Sequence, residues 1–344
     1  ICAQSAEVPK EEIMRIVAPR GKAYFDKDGT WEAQTKAVPT NIDDWPMAFY
    51  GADNNAVSFD EMVGPPKHIQ WRSGPSWTRS HEMISSLTSM VSNNGVLYYI
   101  IDEGSRLSAI LPEKWRLVAQ DAFNGKILWK LDLETWHNHL WPVKSGPAQL
   151  QRRLIAIGNK VYLPLAAGAP LSEVDAASGQ VLRSFPGTEG LEEVVYDNGS
   201  LYVVTGQSAK AQEGYELSNV EVWGAAGDAT GKYRFEDKQK NKIMRLDAKT
   251  GNITWSYESA IVPNTMALND KGVFFHNGKQ VIALNPDGSN KWKGEEFKLK
   301  SYKMGTAVTP TLLCQDDVVL ATLGFDFKDG KIYAHDIDSG KIID

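Results

Sequence analysis

The sequence has 344 residues, enough for one large all-β domain or for two ordinary domains. Its 42% hydrophobic and 23% charged residues are typical of a globular protein, and no stretch approaches the ~20 apolar residues of a membrane span. A net charge of −6 without a long Lys/Arg run argues against nucleic acid as a partner. Cys2 and Cys314 form no C-x-x-C pattern, so they indicate neither haem attachment, nor a thiolate zinc site, nor a disulfide framework.

The first 41 residues form a separate N-terminal tail. Apolar residues between positions 13 and 17 have helical spacing, and residues 22–25 are typical of a strand. This helix, turn and strand resemble the late part of a class I methyltransferase fold, and the resemblance implies that residues 1–41 are the end of a methyltransferase-like domain. The alternative is a cut signal peptide with its cleavage region at residues 1–6. Neither interpretation predicts chemistry within the tail.

From residue 42 to 344 the chain repeats one sequence motif. It consists of an apolar strand, a short polar turn and a second apolar strand that often ends in Trp. An Asp or Asn side chain can bond the backbone two residues on, and Gly supplies the positive φ of a tight hairpin turn. A further strand precedes each copy, and such units every ~40–50 residues are typical of propeller blades. The turn pairs are Asp121/Gly125, Asp175/Gly179, Asp247/Gly251, Asn285/Gly288 and Asp336/Gly340.

The predicted fold is therefore all-β, a β-propeller of four-stranded antiparallel blades behind a short α/β tail. About five to six blades of a seven- or eight-bladed ring are expected, with the full-length protein continuing beyond Asp344. Residues 67–71 are expected to form a strand of a closing blade whose partner strands lie outside this chain, and residues 209–241 a long exposed loop. The predicted blades span residues 85–133, 150–186, 191–258 and 260–293, with a fifth starting near 305 and an insertion at 103–115.

The hairpins at 121–129, 247–255 and 281–292, and the Asp44-Trp45-Pro46 segment, resemble the quinoprotein alcohol dehydrogenase-like propellers. The resemblance covers residues 42–344 and implies an opening strand at the Asp44 segment. The group contains pyrroloquinoline quinone dehydrogenases and a non-enzymatic outer-membrane assembly propeller. The order of the Trp-Pro, Val-Gly-Pro-Pro and Gly-Pro-x-Trp motifs is most similar to bacterial chains that join a methyltransferase-like region to a quinone-repeat propeller.

One candidate ligand-binding segment is Trp77-Thr-Arg79-Ser-His81. In an extended chain these three side chains share a face, where an aromatic ring, a cation and an imidazole could bind an acidic or planar ligand. The alternative is structural, with Arg79 paired to an Asp or Glu and Trp77 packed on a blade.

A second candidate site is one position that recurs after the second strand of successive blades. Glu103, Ala167, Gln207 and Lys279 occupy it, and varied polar residues at a repeated position suit a ring-shaped site at a channel mouth. Solvent-facing strand ends would give the same pattern.

No metal site is predicted. His137 and His139 would share a strand face, but the spacing supplies no further ligands, so ordinary histidines are expected. In the quinone dehydrogenases, calcium accompanies the pyrroloquinoline quinone and the alcohol-oxidising branch has a pair of adjacent cysteines, which this chain lacks.

Two main functional hypotheses follow. The first is a binding or assembly scaffold, periplasmic or secreted as the resemblance implies, which presents loops or a channel mouth to a protein or carbohydrate. The second is a quinone-dependent alcohol or sugar oxidoreductase using pyrroloquinoline quinone and calcium. A third possibility is a module that selects the substrate of a fused methyltransferase-like enzyme. The missing cysteine pair favours the non-enzymatic scaffold.

Overall fold

A computed structural model gives the structure of the protein. It describes residues 2–3, 8–65, 69–74, 79, 85–108, 110–141, 148–207, 234–235, 240–297, 302–303, 311–323 and 331–343. Over these ranges the chain is almost entirely β, with four four-stranded antiparallel sheets and a further three-stranded sheet near the C-terminus. The predicted propeller of four-stranded blades is confirmed.

The N-terminal region forms a small module. Its elements are strand β1 (Cys2–Ala3), helix α1 (Lys10–Ile16), strand β2 (Lys22–Lys27) and strand β3 (Thr30–Thr35). β1 runs parallel to β2, and β2 pairs antiparallel with β3. Ile13 of α1 and Val17 pack on Ala23 of β2, so the predicted helix and strand are both present and share a core. Arg20 donates a hydrogen bond to the carbonyl of Asn94, which joins the module to the first blade.

Each blade is a meander in which consecutive strands pair. Blade three is interrupted between its second and third strands by a segment mostly outside the described residues, where the long loop was predicted. The strands are β4 (Leu87–Asn93), β5 (Val96–Asp102), β6 (Trp115–Asp121) and β7 (Ile127–Asp132) in blade one; β8 (Ile155–Ile157), β9 (Lys160–Pro164), β10 (Leu171–Asp175) and β11 (Val181–Ser184) in blade two; β12 (Leu191–Asp197), β13 (Ser200–Thr205), β15 (Asn241–Asp247) and β16 (Ile253–Ser259) in blade three; β17 (Ala267–Asn269), β18 (Gly272–His276), β19 (Val281–Leu284) and β20 (Asn290–Lys293) in blade four; and β22 (Leu312–Gln315), β23 (Val318–Leu323) and β24 (Lys331–Asp336) in blade five. Two short strands outside the blades, β14 (Arg234–Phe235) and β21 (Tyr302–Lys303), pair with each other.

The first strand of each blade is the innermost one and faces the propeller axis. β4 contacts β8, β8 contacts β12, and β17 contacts β22, whereas the fourth strands β7, β11 and β16 are largely exposed. The turns that follow first and third strands therefore share one end of the propeller, here called the hairpin end. The loops after second strands and the connections between blades share the other, here called the crossover end. The predicted recurring position lies at the crossover end.

The repeated hairpin also joins neighbouring blades. In blade two, Asp175 Oδ1 accepts hydrogen bonds from the backbone N–H of Ala177 and Ser178, and Gly179 has a φ of +75°. The Trp129 ring of blade one lies so close to this turn that a Cβ on Gly179 would be 2.6 Å from it. Trp129 Nε1 donates to the carbonyl of Ala176 at 3.0 Å. A tryptophan of one blade is thus seated on the hairpin of the next.

The same contact recurs with one substitution. Trp255 and Trp292 dock on blades four and five, each donating its Nε1–H to a hairpin carbonyl. Between blades two and three, Phe185 supplies the ring that faces Gly251, and Arg183 donates to the carbonyls of Ala248 and Lys249. Arginine and phenylalanine together replace the tryptophan there.

The expected strand at 67–71, with its pairing partners outside this chain, stays a prediction. Residues 69–71 have no strand pairing, and 67–68 lie outside the described residues. Trp71 nevertheless docks on blade one as the other tryptophans do, with Nε1 donating to the Ala122 carbonyl at 2.9 Å and the ring against Gly125. Trp71 therefore occupies, beside blade one, the position that the tryptophan of a fourth strand occupies beside the next blade.

The expected opening strand at Asp44-Trp45-Pro46 is wrong. Residues 41–65 contain no strand, because Pro46 has no N–H to donate and Tyr50, Asn54 and Ala56 adopt positive φ values. Residues 44–55, here called the plug, instead cross the propeller axis and accept backbone N–H groups from all five first strands in order. From blade one to blade five the pairs are Ser92–Trp45, Ala156–Pro46, Tyr196–Met47, Leu268–Ala52 and Cys314–Asp53; Met47 accepts through its Sδ and the other four through their carbonyls.

Candidate functional site

The predicted ligand face at 77–81 is described only at Arg79, because Trp77 and His81 lie outside the described residues. The Arg79 guanidinium forms an ion pair with Asp102, with Nη1 2.7 Å from Oδ2 and both side chains 3% exposed. Arg79 Nε also donates to the Ser105 carbonyl at 3.1 Å. The structural alternative, in which Arg79 pairs with an acidic residue, is confirmed for this residue; a ligand role for the segment stays a prediction.

This ion pair holds the base of the loop between β5 and β6, residues 103–114, here called the blade-one loop. Asp102 Oδ1 accepts hydrogen bonds from the backbone N–H of Gly104 and Lys114, both at 2.8 Å, so one carboxylate ties the two ends of the loop together. A Cβ on Gly104 would lie 2.7 Å from the Arg79 guanidinium, which shows how closely the loop packs on it. The insertion predicted at 103–115 is therefore a loop with a rigid base.

Beyond its base, the blade-one loop exposes three aliphatic side chains. Leu107 is 93% exposed, and Ile110 and Leu111 are also exposed. Their backbone is locally held: Ser108 Oγ accepts from the N–H of Ile110, and the Ser108 carbonyl accepts from that of Leu111. Exposed apolar side chains on a held backbone are typical of a surface that contacts another protein.

Glu103, at the start of the blade-one loop, is engaged within its own blade. Its two carboxylate oxygens pair with Arg116 Nη1 at 2.7 Å and with Lys130 Nζ at 2.6 Å. Partial burial raises the pKa of Glu103, but the hydrogen bonds from Lys130 and Arg116 outweigh it and hold that pKa below its ordinary value. Glu103 is therefore ionised at neutral pH and links three strands of blade one.

The other members of the recurring position also follow the second strands of their blades. Ala167 N–H donates to the Thr135 carbonyl, and Gln207 and Lys279 are exposed. The structure thus places the position where the repeat predicts it, and its use as a ring-shaped ligand site stays a prediction.

His137 and His139 lie in the connection between blades one and two, within the ordinary loop or strand positions that were predicted for them. His137 is fully buried with its ring 5.9 Å from that of Trp141, and burial, with the charge of Arg153, lowers its pKa well below the ordinary value. Among the described residues neither of its ring nitrogens has a hydrogen-bond partner. His139 Nδ1 is 2.7 Å from Glu113 Oε2, so the two imidazoles have separate environments.

The axis contains a buried polar cluster that sequence reasoning missed. Arg152 lies in the 3₁₀ helix Ala148–Arg153, and its Nε is 2.9 Å from Glu193 Oε2 on β12. Arg152 Nη1 donates to Asn54 Oδ1 at 2.7 Å, and Nη2 donates to the Met266 carbonyl at 2.8 Å. One guanidinium therefore joins the plug to blades three and four.

Asn54 and Glu193 complete the cluster. Asn54 Nδ2 donates to the carbonyls of Met266 and Leu312, at 3.0 and 2.8 Å, and Glu193 Oε1 accepts the N–H of Asn264 at 2.6 Å. Burial raises the pKa of Glu193 and lowers that of Arg152, while their attraction opposes both shifts. Arg152 and Glu193 form a structural ion pair, because the polar contacts of both side chains are made to other residues of this chain.

These contacts decide whether the described residues fit a quinone on the axis. The plug and the 3₁₀ helix occupy the space inside the first strands, and the buried carboxylate there, Glu193, is used by Arg152 and Asn264. The arrangement does not fit a cofactor stacked on the axis. Over the described ranges no group of three or more His, Cys, Asp or Glu side chains could hold a metal ion. None of the helices in the same ranges has the length and hydrophobicity that crossing a membrane requires.

Comparisons with known proteins give one family match. The family model described as "Outer membrane protein assembly factor BamB" matches residues 113–344. No curated protein matches the chain.

Solved structures resemble the chain distantly. The quinohemoprotein alcohol dehydrogenase from Comamonas testosteroni is 13% identical over 87% of this chain and 48% of its own, with a TM-score of 0.48, so the chain spans about half its length. The Neurospora crassa Pan2 WD40 domain is 8% identical over 79% of this chain and 68% of its own, with a TM-score of 0.41. The Dos1 propeller is 11% identical over 75% and 59%, with a TM-score of 0.41. Nothing about function follows from likenesses this distant.

The family match, by contrast, covers well over half of the sequence, and the hairpins and blades of the chain have the geometry described above. The chain therefore belongs to the outer membrane protein assembly factor BamB family, a propeller family of the quinone-repeat type.

Proposed function

We propose that this propeller is a non-catalytic scaffold that binds a protein partner through the blade-one loop at the crossover end. The observation that carries the proposal is the exposure of Leu107, Ile110 and Leu111 above the Arg79–Asp102 ion pair. Apolar groups on a loop whose base is already fixed can be buried by a partner at little ordering cost.

The filled axis supports a scaffold over the oxidoreductase alternative. A ligand on the axis would have to displace the plug, and with it the contacts of Asn54 and Arg152. A protein partner needs only the outer surface of the loops. Membership in an assembly-factor family agrees with protein contacts, and on the same ground we propose a location outside the cytoplasm.

The test is a photo-crosslinking amino acid at Leu107 or Ile110 in cells that make the protein. The matched control is the same amino acid at Leu182, which is exposed on the outer strand of blade two. We expect discrete protein adducts from the two loop positions and none from Leu182. Equal adducts from all three positions, or none from the loop, would refute the proposal. Adducts with glycans instead of protein would make carbohydrate the ligand.

A second measurement addresses the cofactor. Pyrroloquinoline quinone is titrated into the protein with and without calcium while tryptophan fluorescence is followed. The scaffold predicts no saturable, calcium-dependent quenching at micromolar quinone; such quenching would restore the oxidoreductase hypothesis.

For the N-terminal module we keep the methyltransferase-like proposal. A Gly-rich donor-binding loop after an early strand, encoded upstream of Ile1, would support it. The small core of α1 and β2 agrees with this proposal without distinguishing it from other α/β modules.

A further inference from the structure

A second apolar surface follows the plug, whose ends contact the hairpin end: Asp44 accepts the N–H of Asn94 in the β4–β5 turn, and Asn55 donates to Gln315 at the end of β22. Residues 56–63, here called the plug loop, expose Val57, Phe59, Met62 and Val63. Phe59 is 78% and Val63 is 83% exposed, so most of each side chain meets solvent. Four large apolar side chains within seven residues exceed the scattered exposure that is normal on protein surfaces.

Two carboxylates fix the shape of this loop. Asp43 Oδ2 accepts hydrogen bonds from the Tyr50 hydroxyl at 2.6 Å, from Ser58 Oγ at 3.1 Å and from the N–H of Phe59 at 2.8 Å. Asp60 performs the same role in the second half of the loop. The backbone at Phe59 is thus tied to Asp43 rather than left to fluctuate.

Asp60 Oδ1 accepts the N–H groups of Met62 and Val63, each at 2.7 Å, and Asp60 Oδ2 accepts the N–H of Asp43 at 3.1 Å. These hydrogen bonds hold the pKa of Asp60 below its ordinary value, so its charge is kept at neutral pH. The apolar side chains of the plug loop are therefore displayed on a backbone that need not be ordered when a partner binds.

The charge around the loop restricts the partner. Residues 37–66 contain no Lys, Arg or His, and their acidic residues are Asp43, Asp44, Asp53, Asp60 and Glu61. Arg20 lies near this segment, but its guanidinium donates to the carbonyl of Asn94. Asp44 Oδ2 accepts the N–H of the same residue, Asn94. An apolar patch with an acidic border repels anionic lipid and a second copy of itself, and it attracts a chain that combines apolar and basic residues.

We propose that the plug loop is a docking site for a basic amphipathic segment of a protein partner, whose apolar residues cover Phe59 and Val63 while its Lys or Arg side chains face the acidic border. This surface lies at the hairpin end, whereas the blade-one loop lies at the crossover end. The site is thus independent of the proposed function, and the propeller could hold two partners at its two ends.

The probe is a fluorescent amphipathic peptide of about 18 Leu and Lys residues, with apolar residues at helical spacing. Binding to the full chain is followed by fluorescence anisotropy. A peptide in which Glu replaces Lys is the charge control. The site variant carries Phe59→Ser and Val63→Ser; the matched variant carries Leu107→Ser and Ile110→Ser. All four positions are exposed, so each pair leaves the core unchanged, and the urea midpoint of each variant verifies this.

We expect the Leu/Lys peptide to bind the wild type and the matched variant equally, and the site variant at least about tenfold more weakly. The Leu/Glu peptide should not bind, and salt should weaken the Leu/Lys complex because the acidic border contributes. Equal peptide affinity for the site variant and wild type would overturn the proposal. Two other outcomes would also overturn it. If the wild type binds phosphatidylcholine vesicles and the site variant does not, the occupant is a membrane. If the wild type self-associates in ultracentrifugation and the site variant does not, the occupant is a second copy.

Discussion

Replacing Gly179 by alanine should destabilise the protein far more than the same change at Gly199. Both glycines occupy hairpin turns at nearly the same φ, +75° and +79°. A Cβ on Gly199 meets nothing within 4 Å, whereas a Cβ on Gly179 would lie 2.6 Å from the Trp129 ring. The two substitutions therefore share the backbone cost and differ only in the docking of blade one on blade two.

The magnitudes follow from these contacts. Alanine at a left-handed φ costs about 1–2 kcal/mol at either position. Non-bonded carbon atoms require about 3.5 Å, so Gly179→Ala also displaces the Trp129 ring. That displacement loses the Nε1–H hydrogen bond to Ala176, worth about 1 kcal/mol, and ring packing worth a further ~1 kcal/mol. The expected total is about 3–4 kcal/mol for Gly179→Ala and about 1–2 kcal/mol for Gly199→Ala.

The assay is urea unfolding followed by both tryptophan fluorescence and far-UV circular dichroism, whose agreement justifies a two-state free energy. A double-mutant cycle with Trp129→Ala isolates the contact: without the ring, Gly179→Ala should cost no more than Gly199→Ala. The reasoning would be refuted if Gly179→Ala and Gly199→Ala were equally destabilising, or if Trp129→Ala left the cost of Gly179→Ala unchanged.

Three further predictions concern the axis, the plug loop and the first docking contact. Glu193→Gln leaves the Arg152 charge buried without a counter-charge, so we expect the free energy of unfolding in urea to fall by about 3–5 kcal/mol. The double variant Glu193→Gln with Arg152→Met should lose less than the sum of the two single variants. An additive loss would contradict the pairing. For Asp43, burial raises the pKa, but hydrogen bonds from a hydroxyl and backbone N–H groups outweigh it, so the folded pKa lies below the ordinary 3.8. Its stabilisation is complete above pH 3.8 and is lost as pH falls through the lower folded pKa. Asp43→Asn should remove this part of the acid destabilisation, measured as the change of the urea midpoint with pH; an unchanged slope would contradict it. Trp71→Phe keeps the ring on blade one but removes the hydrogen bond to Ala122, and a loss of about 1 kcal/mol is expected; no loss would mean that the ring alone accounts for the contact.

The blades could be predicted from the sequence because their signal is local. An Asp such as Asp247 caps the turn two and three residues on, at Lys249 and Thr250, and Gly251 takes the positive φ four residues on. All the chemistry of the turn thus lies within five adjacent positions. The contact between blades two and three could not be predicted in this way, because two residues replace the tryptophan. Arg183 donates the hydrogen bonds and Phe185 supplies the ring. An arginine two residues before an aromatic residue, at the end of a repeat, is the signal that could have revealed it.

The plug could not be predicted in the same way. Its hydrogen bonds join residues such as Asn54 and Leu312, which are 258 positions apart, and no periodic pattern marks their partners. A Trp-Pro pair before a propeller suggested a strand, but positive φ values after it direct the chain across the axis. The Arg152–Glu193 ion pair could not be predicted for the same reason: the two residues lie far apart in sequence, and no periodic pattern marks them as partners.

The plug has a consequence for how the propeller assembles. In an array of blades each unit contacts mainly its neighbours, so blades could open or form one at a time. A single segment bonded to the first strands of the five described blades couples them, and the opening of any of these blades must also break a plug contact. The plug precedes the five described blades in the chain, but its hydrogen bonds are complete only once the fifth is present: Asn54 Nδ2 donates to the Leu312 carbonyl, and the Asp53 carbonyl accepts the N–H of Cys314. Until the fifth blade has formed, the plug therefore has backbone and side-chain polar groups without their final partners.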